Sequence, residues 1–197
     1  MVLFENAGRQ NTTETLRIAL ERAKELDCPI VAASTLGVTA EALLDAAEAA
    51  DFRNRIVIVR GCSSKQRGGV NLMKPEVRDR LIARGAVIVT AAHALSAGER
   101  SISGKHHGAY PLELMAETLR CFGHGTKVCF EVAVMALDAD ALPFGVPVVA
   151  VGGTHRGADT AVVITPSYSA SLLDTVVHEI LCKPFDIRRL DNSNSFD

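Results

Sequence analysis

The sequence predicts an α/β fold in which helices cover both faces of a mixed β-sheet. Short apolar runs at residues 30–33 and 55–60 are typical of strands that are buried on both faces. Segments with the apolar spacing of helices separate most of the predicted strands. The 197 residues are 48% hydrophobic but only 5% aromatic, a composition that favours such alternation over an aromatic-rich β-sandwich.

Local signals place the elements in order along the chain. Asn11 and Glu14 form a capping-box pattern before the first helix, and Pro75 suits the first turn of another. Residues 91–108 have no regular pattern and are predicted as a long loop. The predicted helices span residues 12–27, 39–50, 75–84, 111–121, 126–140 and 169–182, and the predicted strands span 30–33, 55–60, 86–90, 146–151 and 160–165.

The connections between the strands set their directions. Helices join the earlier strands, which we therefore expect to be parallel with right-handed crossovers. Only residues 152–159 separate the last two strands, too few for a crossover helix, so those strands should be antiparallel. We expect one domain over residues 1–187 and a polar tail over 188–197.

Composition and motifs exclude several classes of protein. A net charge of −2 gives no electrostatic case for nucleic acid or membrane as a partner. The start of the chain lacks a signal-peptide pattern, and no apolar run reaches spanning length, so a cytoplasmic location is expected. The five cysteines form no close pairs, and the histidines lack spaced companions. Neither disulfides nor a metal site is predicted.

The turn after the first strand, residues 34–39, is a candidate phosphate site. Ser34, Thr35 and Thr39 supply hydroxyls, Gly37 allows close approach of a ligand, and a helix start supplies free N–H groups. A second glycine loop, 152–159, should lie at the same edge of the sheet, so the two could hold one phosphate. The alternative is a tight β–α turn capped by Thr39.

A few charged residues bear on this prediction. Glu41 lies in the first turn of the helix and would repel a phosphate unless its side chain points away. His93 and Glu131 are candidate acid–base groups. Glu131 lies in an apolar helix, either at its solvated edge or as a buried partner of Arg120 or Lys127.

The sequence resembles the stand-alone pyruvate kinase C-terminal-domain-like proteins of archaea and bacteria over nearly its whole length up to Pro184. The resemblance rests on Asn-Thr-Thr-Glu-Thr-Leu at 11–16, Ala-Ser-Thr-Leu-Gly-Val-Thr-Ala at 33–40, Thr-Ala-Ala-His-Ala-Leu-Ser at 90–96, Leu-Arg-Cys-Phe-Gly-His-Gly-Thr-Lys-Val at 119–128 and Val-Gly-Gly-Thr-His-Arg-Gly-Ala-Asp at 151–159. It implies a three-layer α/β/α domain with a five-stranded mixed sheet, strand order 3-2-1-4-5 and strand 5 antiparallel.

The resemblance also implies a ligand. In pyruvate kinase the corresponding domain binds a sugar bisphosphate, with one phosphate in a turn like 34–39 and a glycine loop like 152–159 closing over it. Kinase activity is not implied, because that chemistry belongs to a barrel of about 250 residues that does not fit in this chain. For the stand-alone proteins, flavin mononucleotide (FMN) is a ligand that the resemblance makes plausible.

The functional prediction is a homo-oligomeric binding domain for a phosphorylated small molecule, with FMN first and a sugar phosphate second. One alternative is a flavin-dependent or other small-molecule enzyme that uses His93 or Glu131 as its acid or base. Another is a regulatory or scaffolding subunit with a vestigial crevice. The predicted contact residues are Ser34, Thr35, Gly37, Val38, Thr39, Thr90, His93, Gly152, Gly153, Thr154 and Gly157.

Overall fold

A computed structural model describes residues 1–186, so the predicted tail at 188–197 lies outside the described residues. The strands are β1 (Val2–Phe4), β2 (Ile30–Ala33), β3 (Ile56–Gly61), β4 (Val87–Ala91), β5 (Val148–Gly152), β6 (Thr160–Thr165) and β7 (Val176–Pro184). The α-helices are α1 (Thr12–Glu25), α2 (Val38–Ala49), α3 (Pro75–Ala83), α4 (Ala97–His106), α5 (Pro111–Arg120) and α6 (His124–Asp138).

All seven strands join one mixed sheet in the order β1-β7-β6-β5-β2-β3-β4. β2 pairs in parallel with both β3 and β5, and β3 pairs in parallel with β4. β6 runs antiparallel to both of its neighbours, β5 and β7. The five predicted strands therefore lie in the predicted order, and the antiparallel direction of the last of them is confirmed.

The predicted number of strands was wrong, because the segment 169–182 is not a helix. A 3₁₀ segment, Ser169–Asp174, is followed by β7, which pairs with β6, and β1 then pairs in parallel with β7. Val176, Val177 and Ile180 are β-branched, and short apolar runs fit a helix or a strand almost equally well. Pairing with the otherwise open edge of β6 favours the strand.

The segment 91–108 also differs from its prediction, because α4 occupies most of it. No residue of α4 is buried, so the helix has no apolar stripe that would reveal it in the sequence. Contacts with α5 hold it in place. The Glu99 carboxylate accepts a hydrogen bond from the Glu113 N–H at 2.8 Å, and the Ser103 hydroxyl donates to the Glu113 carboxylate at 2.7 Å.

Helices cover both faces of the sheet, as predicted. Residues alternate along the strands, so that Ile30 and Ala32 of β2 join an apolar cluster with α1, α2 and α3, while Val31 joins the cluster of α6 on the opposite face. α5 packs on the outer side of α6. α6 is buried along most of its length, which fixes its first turn firmly at one edge of the sheet. Among residues 1–186, we find no helix with the length and apolar character needed to cross a membrane.

Candidate functional site

The strand order reverses between β2 and β5, and this is where ligands bind in open α/β sheets. From β2 the chain proceeds to β3 and β4 on one side and returns to β5 on the other. In the parallel register, Ala32 lies beside Val151, so the loops that follow β2 and β5 leave the sheet side by side. The two predicted phosphate loops therefore meet at the carboxyl edge, as expected.

The turn between β2 and α2 is stabilised by Ser34. Its hydroxyl oxygen accepts a hydrogen bond from the Ala40 N–H at 3.2 Å, and the residue is almost completely buried. The capping role expected of Thr39 is thus taken by Ser34, while Thr39 is itself buried. Gly37 precedes the helix with a φ of 104°, in the left-handed region that favours glycine.

Five consecutive backbone N–H groups of this turn have no protein acceptor within the described part of the chain. They belong to Thr35, Leu36, Gly37, Val38 and Thr39. The last two open the first turn of α2, whose dipole adds partial positive charge. Thr35, Leu36 and Val38 are exposed, so the solvent reaches the turn. This arrangement suits an anion such as a phosphate.

Gly37 is also required for packing, independently of any ligand. A Cβ atom at this position would lie 2.3 Å from Cγ1 of Val77 on α3. Glu41 turns towards the same helix, where its carboxylate accepts a hydrogen bond from Nε of Arg80 at 3.0 Å. The charge of Glu41 is therefore paired with Arg80 of α3, which weakens the repulsion between Glu41 and a bound phosphate that we expected from the sequence.

The glycines of the second loop are likewise explained by close packing. A Cβ on Gly152 would lie 2.6 Å from the Gly125 carbonyl oxygen, and one on Gly153 would lie 2.4 Å from the Gly157 carbonyl oxygen. Gly157 itself lies against Thr12, where a Cβ would approach the hydroxyl oxygen to 2.4 Å. The loop therefore packs against the starts of both α6 and α1.

Asp159 holds this loop in place. It is completely buried, and one carboxylate oxygen accepts hydrogen bonds from the N–H groups of Gly8 (3.0 Å) and Thr154 (3.1 Å). The other oxygen accepts from the Thr160 hydroxyl at 2.8 Å. The N–H of Thr154 is thus engaged by the protein, and its side chain is half-buried. Asp159 gave no distinctive signal in the sequence.

A buried ionic cluster lies beside this edge on α6. Glu131, with a side chain only 1% exposed, contacts the Lys127 ammonium and lies 3.0 Å from Nδ1 of His93. Its second oxygen accepts a hydrogen bond from the Leu95 N–H at 3.1 Å. Burial alone would raise the pKa of Glu131, but the His93 hydrogen bond and the Lys127 charge outweigh it and lower the pKa. Glu131 is therefore ionised near neutral pH.

These contacts resolve the alternatives for Glu131. It is a buried partner of Lys127, whereas Arg120 pairs with Glu117. The two acid–base candidates, His93 and Glu131, are in direct contact, although nothing in their spacing indicated it. The side chain of His93 is 57% exposed.

His124 is a further residue of this edge, and sequence reasoning did not select it. It is the first residue of α6, and its side chain is exposed. Loss of hydration there, followed by the charges of Arg120 and Lys127 and the proximity of His155, lowers its pKa to about 4. His124 is therefore neutral at pH 7. Its position after Gly123, ahead of an apolar helix, was the available signal.

Thr90 lies away from the crevice between β2 and β5. It is on β4, the edge strand, two strands from β2, and its hydroxyl accepts a hydrogen bond from Nε of Arg60 at 2.7 Å. His93 follows the same strand but turns back over α6 to reach Glu131. The structure therefore brings together the β2 turn, the β5 loop and the α6 cluster, and leaves Thr90 at the periphery.

Two further findings concern metal ligands and protein families. Among residues 1–186, no three His, Cys, Asp or Glu side chains lie close enough together to hold a metal ion. No protein-family model matches the chain.

Proposed function

We propose that this protein binds a phosphorylated small molecule at the carboxyl ends of β2 and β5. FMN is the first candidate and a sugar phosphate the second. We also propose that the chain is a homologue of the stand-alone pyruvate kinase C-terminal-domain-like proteins, without pyruvate kinase activity. A cytoplasmic location and a homo-oligomeric state are part of the same proposal.

The run of five backbone N–H groups at residues 35–39 carries the proposal. Groups at the start of a 12-residue helix that have no protein acceptor gain hydrogen bonds from an anion, and the helix dipole favours the negative charge. Glycines do not carry the proposal, because packing alone explains Gly37, Gly152, Gly153 and Gly157. The turn would hold the phosphate, the 153–157 loop would close the site, and the segment after β4 would contact the organic part.

The test compares Thr35→Asp with Thr35→Asn. Both side chains have nearly the same size, and residue 35 is exposed, so both variants should fold. The aspartate places a charge beside the phosphate seat, while a negative charge near the N-terminus of α2 does not destabilise the helix. We expect the Kd for inorganic phosphate and for FMN, measured by calorimetry, to rise about tenfold or more in Thr35→Asp only, from the repulsion of two charges about 5 Å apart.

Equal affinity in wild type and Thr35→Asp, with both proteins folded, would contradict the phosphate site. Gly37→Val is unsuitable for this test, because its side chain would clash with Val77 whether or not a ligand binds. The visible absorption spectrum of freshly purified protein distinguishes FMN from a colourless ligand. If neither phosphate nor any phosphorylated compound raises the melting temperature, the scaffolding alternative is favoured.

A further inference from the structure

A cavity of about 450 Å³ lies between α4 and α5. Cavities of this size are typical of sites for small organic molecules. The two helices, the segment that joins them and the residue pair before α4 line it, and no lining residue belongs to the 35–39 turn or to the 152–159 loop. The cavity is therefore separate from the proposed phosphate site.

Ser96 brings a buried hydroxyl to this cavity. The residue is only 3% exposed, and its side chain makes no hydrogen bond within residues 1–186. No fully enclosed side-chain oxygen of the described residues lacks a partner, so the Ser96 hydroxyl must be open to the cavity that the residue lines. A buried hydroxyl that the protein does not engage is available to a ligand.

The lack of a partner for Ser96 is unexpected from its position. Ser96 is the N-cap of α4 and Glu99 is the third residue of the helix, which is the pattern of a capping box. In the structure, however, the Ser96 hydroxyl does not cap the helix, and the Glu99 carboxylate accepts the N–H of Glu113 instead. Helix capping therefore does not account for this hydroxyl.

Four charged side chains of the described residues line the cavity, and two of them pair with each other. Arg120 donates a hydrogen bond to the Glu117 carboxylate at 2.5 Å. Among residues 1–186, no carboxylate pairs with Arg100, and the Glu113 carboxylate accepts a hydrogen bond only from the neutral hydroxyl of Ser103, at 2.7 Å. The cavity thus keeps one positive and one negative charge that the described part of the protein does not compensate.

These two charges reach the cavity from different helices. Arg100 lies one turn after Ser96, and its N–H donates to the Ser96 carbonyl oxygen at 2.8 Å, so the guanidinium and the hydroxyl line the cavity from α4. Glu113 lines it from α5, and the neighbouring Glu99 carboxylate adds negative charge there. A ligand with one charge of each sign would complement this arrangement.

We propose that the cavity between α4 and α5 binds a free α-amino acid with an apolar side chain. Arg100 and Ser96 hold its carboxylate, and Glu113 accepts a hydrogen bond from its ammonium group. The side chain of the ligand packs on Leu95 and Leu114, which also line the cavity. A simple carboxylic acid fits less well, because it would leave the charge of Glu113 uncompensated.

Calorimetry with related compounds tests the need for both charges. The probes are leucine, methionine and phenylalanine, and the comparison compounds are isocaproate, which is leucine without the ammonium group, and leucinamide, in which a neutral amide replaces the carboxylate. We expect the wild type to bind at least one of the amino acids with a Kd of about 1 mM or lower. Isocaproate and leucinamide should bind at least about tenfold more weakly than leucine.

Substitutions that remove one charge assign the two ends of the ligand. Arg100→Gln and Glu113→Gln should each raise the Kd of the amino acid about tenfold or more, because a charge-assisted hydrogen bond is lost. Glutamine at 113 can still accept from Ser103, so the variant should fold. In Glu113→Gln the preference for leucine over isocaproate should also disappear. The matched control is Lys105→Gln, which removes a charge from an exposed residue of α4 that does not line the cavity, and its affinity should equal that of the wild type.

Ser96→Ala separates a ligand contact from a structural role. Because the hydroxyl has no partner among residues 1–186, its removal should leave the melting temperature of the ligand-free protein unchanged. The Kd of the amino acid should nevertheless rise about fivefold or more.

Three results would overturn the inference. The first is a Kd above about 1 mM for all three amino acids in the wild type. The second is equal affinity for the amino acid in wild type and Arg100→Gln, and the third is equal affinity of the wild type for leucine and isocaproate. None of these results depends on phosphate binding at residues 35–39, so this inference and the proposed function can fail independently.

Discussion

Replacing Asp159 by two different residues tests how the β5 loop is held. The carboxylate is buried and accepts three hydrogen bonds, two of them at one oxygen from the N–H groups of Gly8 and Thr154. In Asp159→Asn, the amide oxygen can keep both N–H contacts. The amide nitrogen then faces the Thr160 hydroxyl, which can accept as well as donate. Asparagine therefore preserves the geometry and loses only the charge.

The two substitutions should lower the free energy of unfolding by clearly different amounts. Hydrogen bonds to a charged group contribute about 1.5–3 kcal/mol each, roughly twice the value for neutral pairs. Weakening three such bonds to neutral strength would cost about 2–4 kcal/mol, but removing the charge also relieves the desolvation penalty of a buried carboxylate, so the net cost should be about 1–2 kcal/mol. Asp159→Ala leaves two N–H groups and a hydroxyl without their acceptor, but Gly8 and Thr154 are only half-buried and can partly turn to water. We expect about 3–4 kcal/mol for alanine.

Urea unfolding gives both free energies, and amide hydrogen exchange locates the change. In Asp159→Ala, the amides of Gly8 and Thr154 should exchange much faster, while in Asp159→Asn they should stay protected. Equal unfolding free energies for the two variants would refute the assignment of the oxygens. A cost below about 1 kcal/mol for alanine would show that the carboxylate does not hold the loop.

Two further predictions concern α6. Lys127→Met leaves the buried Glu131 with His93 and the Leu95 N–H as its remaining partners, so urea unfolding should show a loss of about 2–4 kcal/mol in the free energy of unfolding. In the control variant Arg17→Met, which breaks exposed ion pairs, the loss should be less than about 1 kcal/mol. Equal losses in the two variants would contradict the buried pair. The pKa of His124 is lowered from 6.5 to about 4 in the folded protein, so the unfolded chain binds more protons in that range and stability falls as the pH drops from 6.5 towards 4. The difference in unfolding free energy between pH 7 and pH 5 should be smaller in His124→Gln than in wild type, and an unchanged difference would refute the low pKa.

The central part of the fold could be predicted because each signal was local. Continuous apolar runs marked the strands of the parallel part, and the short 152–159 connection alone required an antiparallel pair. The strands at the β1–β7 side of the sheet could not be predicted in the same way. The segment 176–184 becomes a strand because β6 offers an open edge, and Val2–Phe4 is a strand only because β7 then lies beside it. Such dependence on distant partners leaves no trace in local periodicity.

The site was predictable to the extent that it follows from topology. Loops after parallel strands meet at one edge, so the proximity of the 34–39 and 152–159 segments could be inferred from the order of the elements. The contact between His93 and Glu131 could not, because it depends on the path of a segment after β4 that carries no pattern of its own. His124 was likewise missed, since its significance comes from Arg120 and Lys127, its neighbours on consecutive helices.

Glycine in a loop shows that something approaches the backbone closely, but not whether that is a ligand or the protein. At Gly37 the approaching group is Val77, and at Gly157 it is Thr12, so each glycine would be needed in an empty site as well. Backbone N–H groups that have no acceptor distinguish a ligand site from close packing better than glycines do. Solvent reaches the turn at residues 35–39, and the protein supplies no acceptor for five consecutive N–H groups within its described residues. Water can satisfy them, but a phosphate does so with a charge that the helix dipole favours, and this difference in charge is what Thr35→Asp against Thr35→Asn measures.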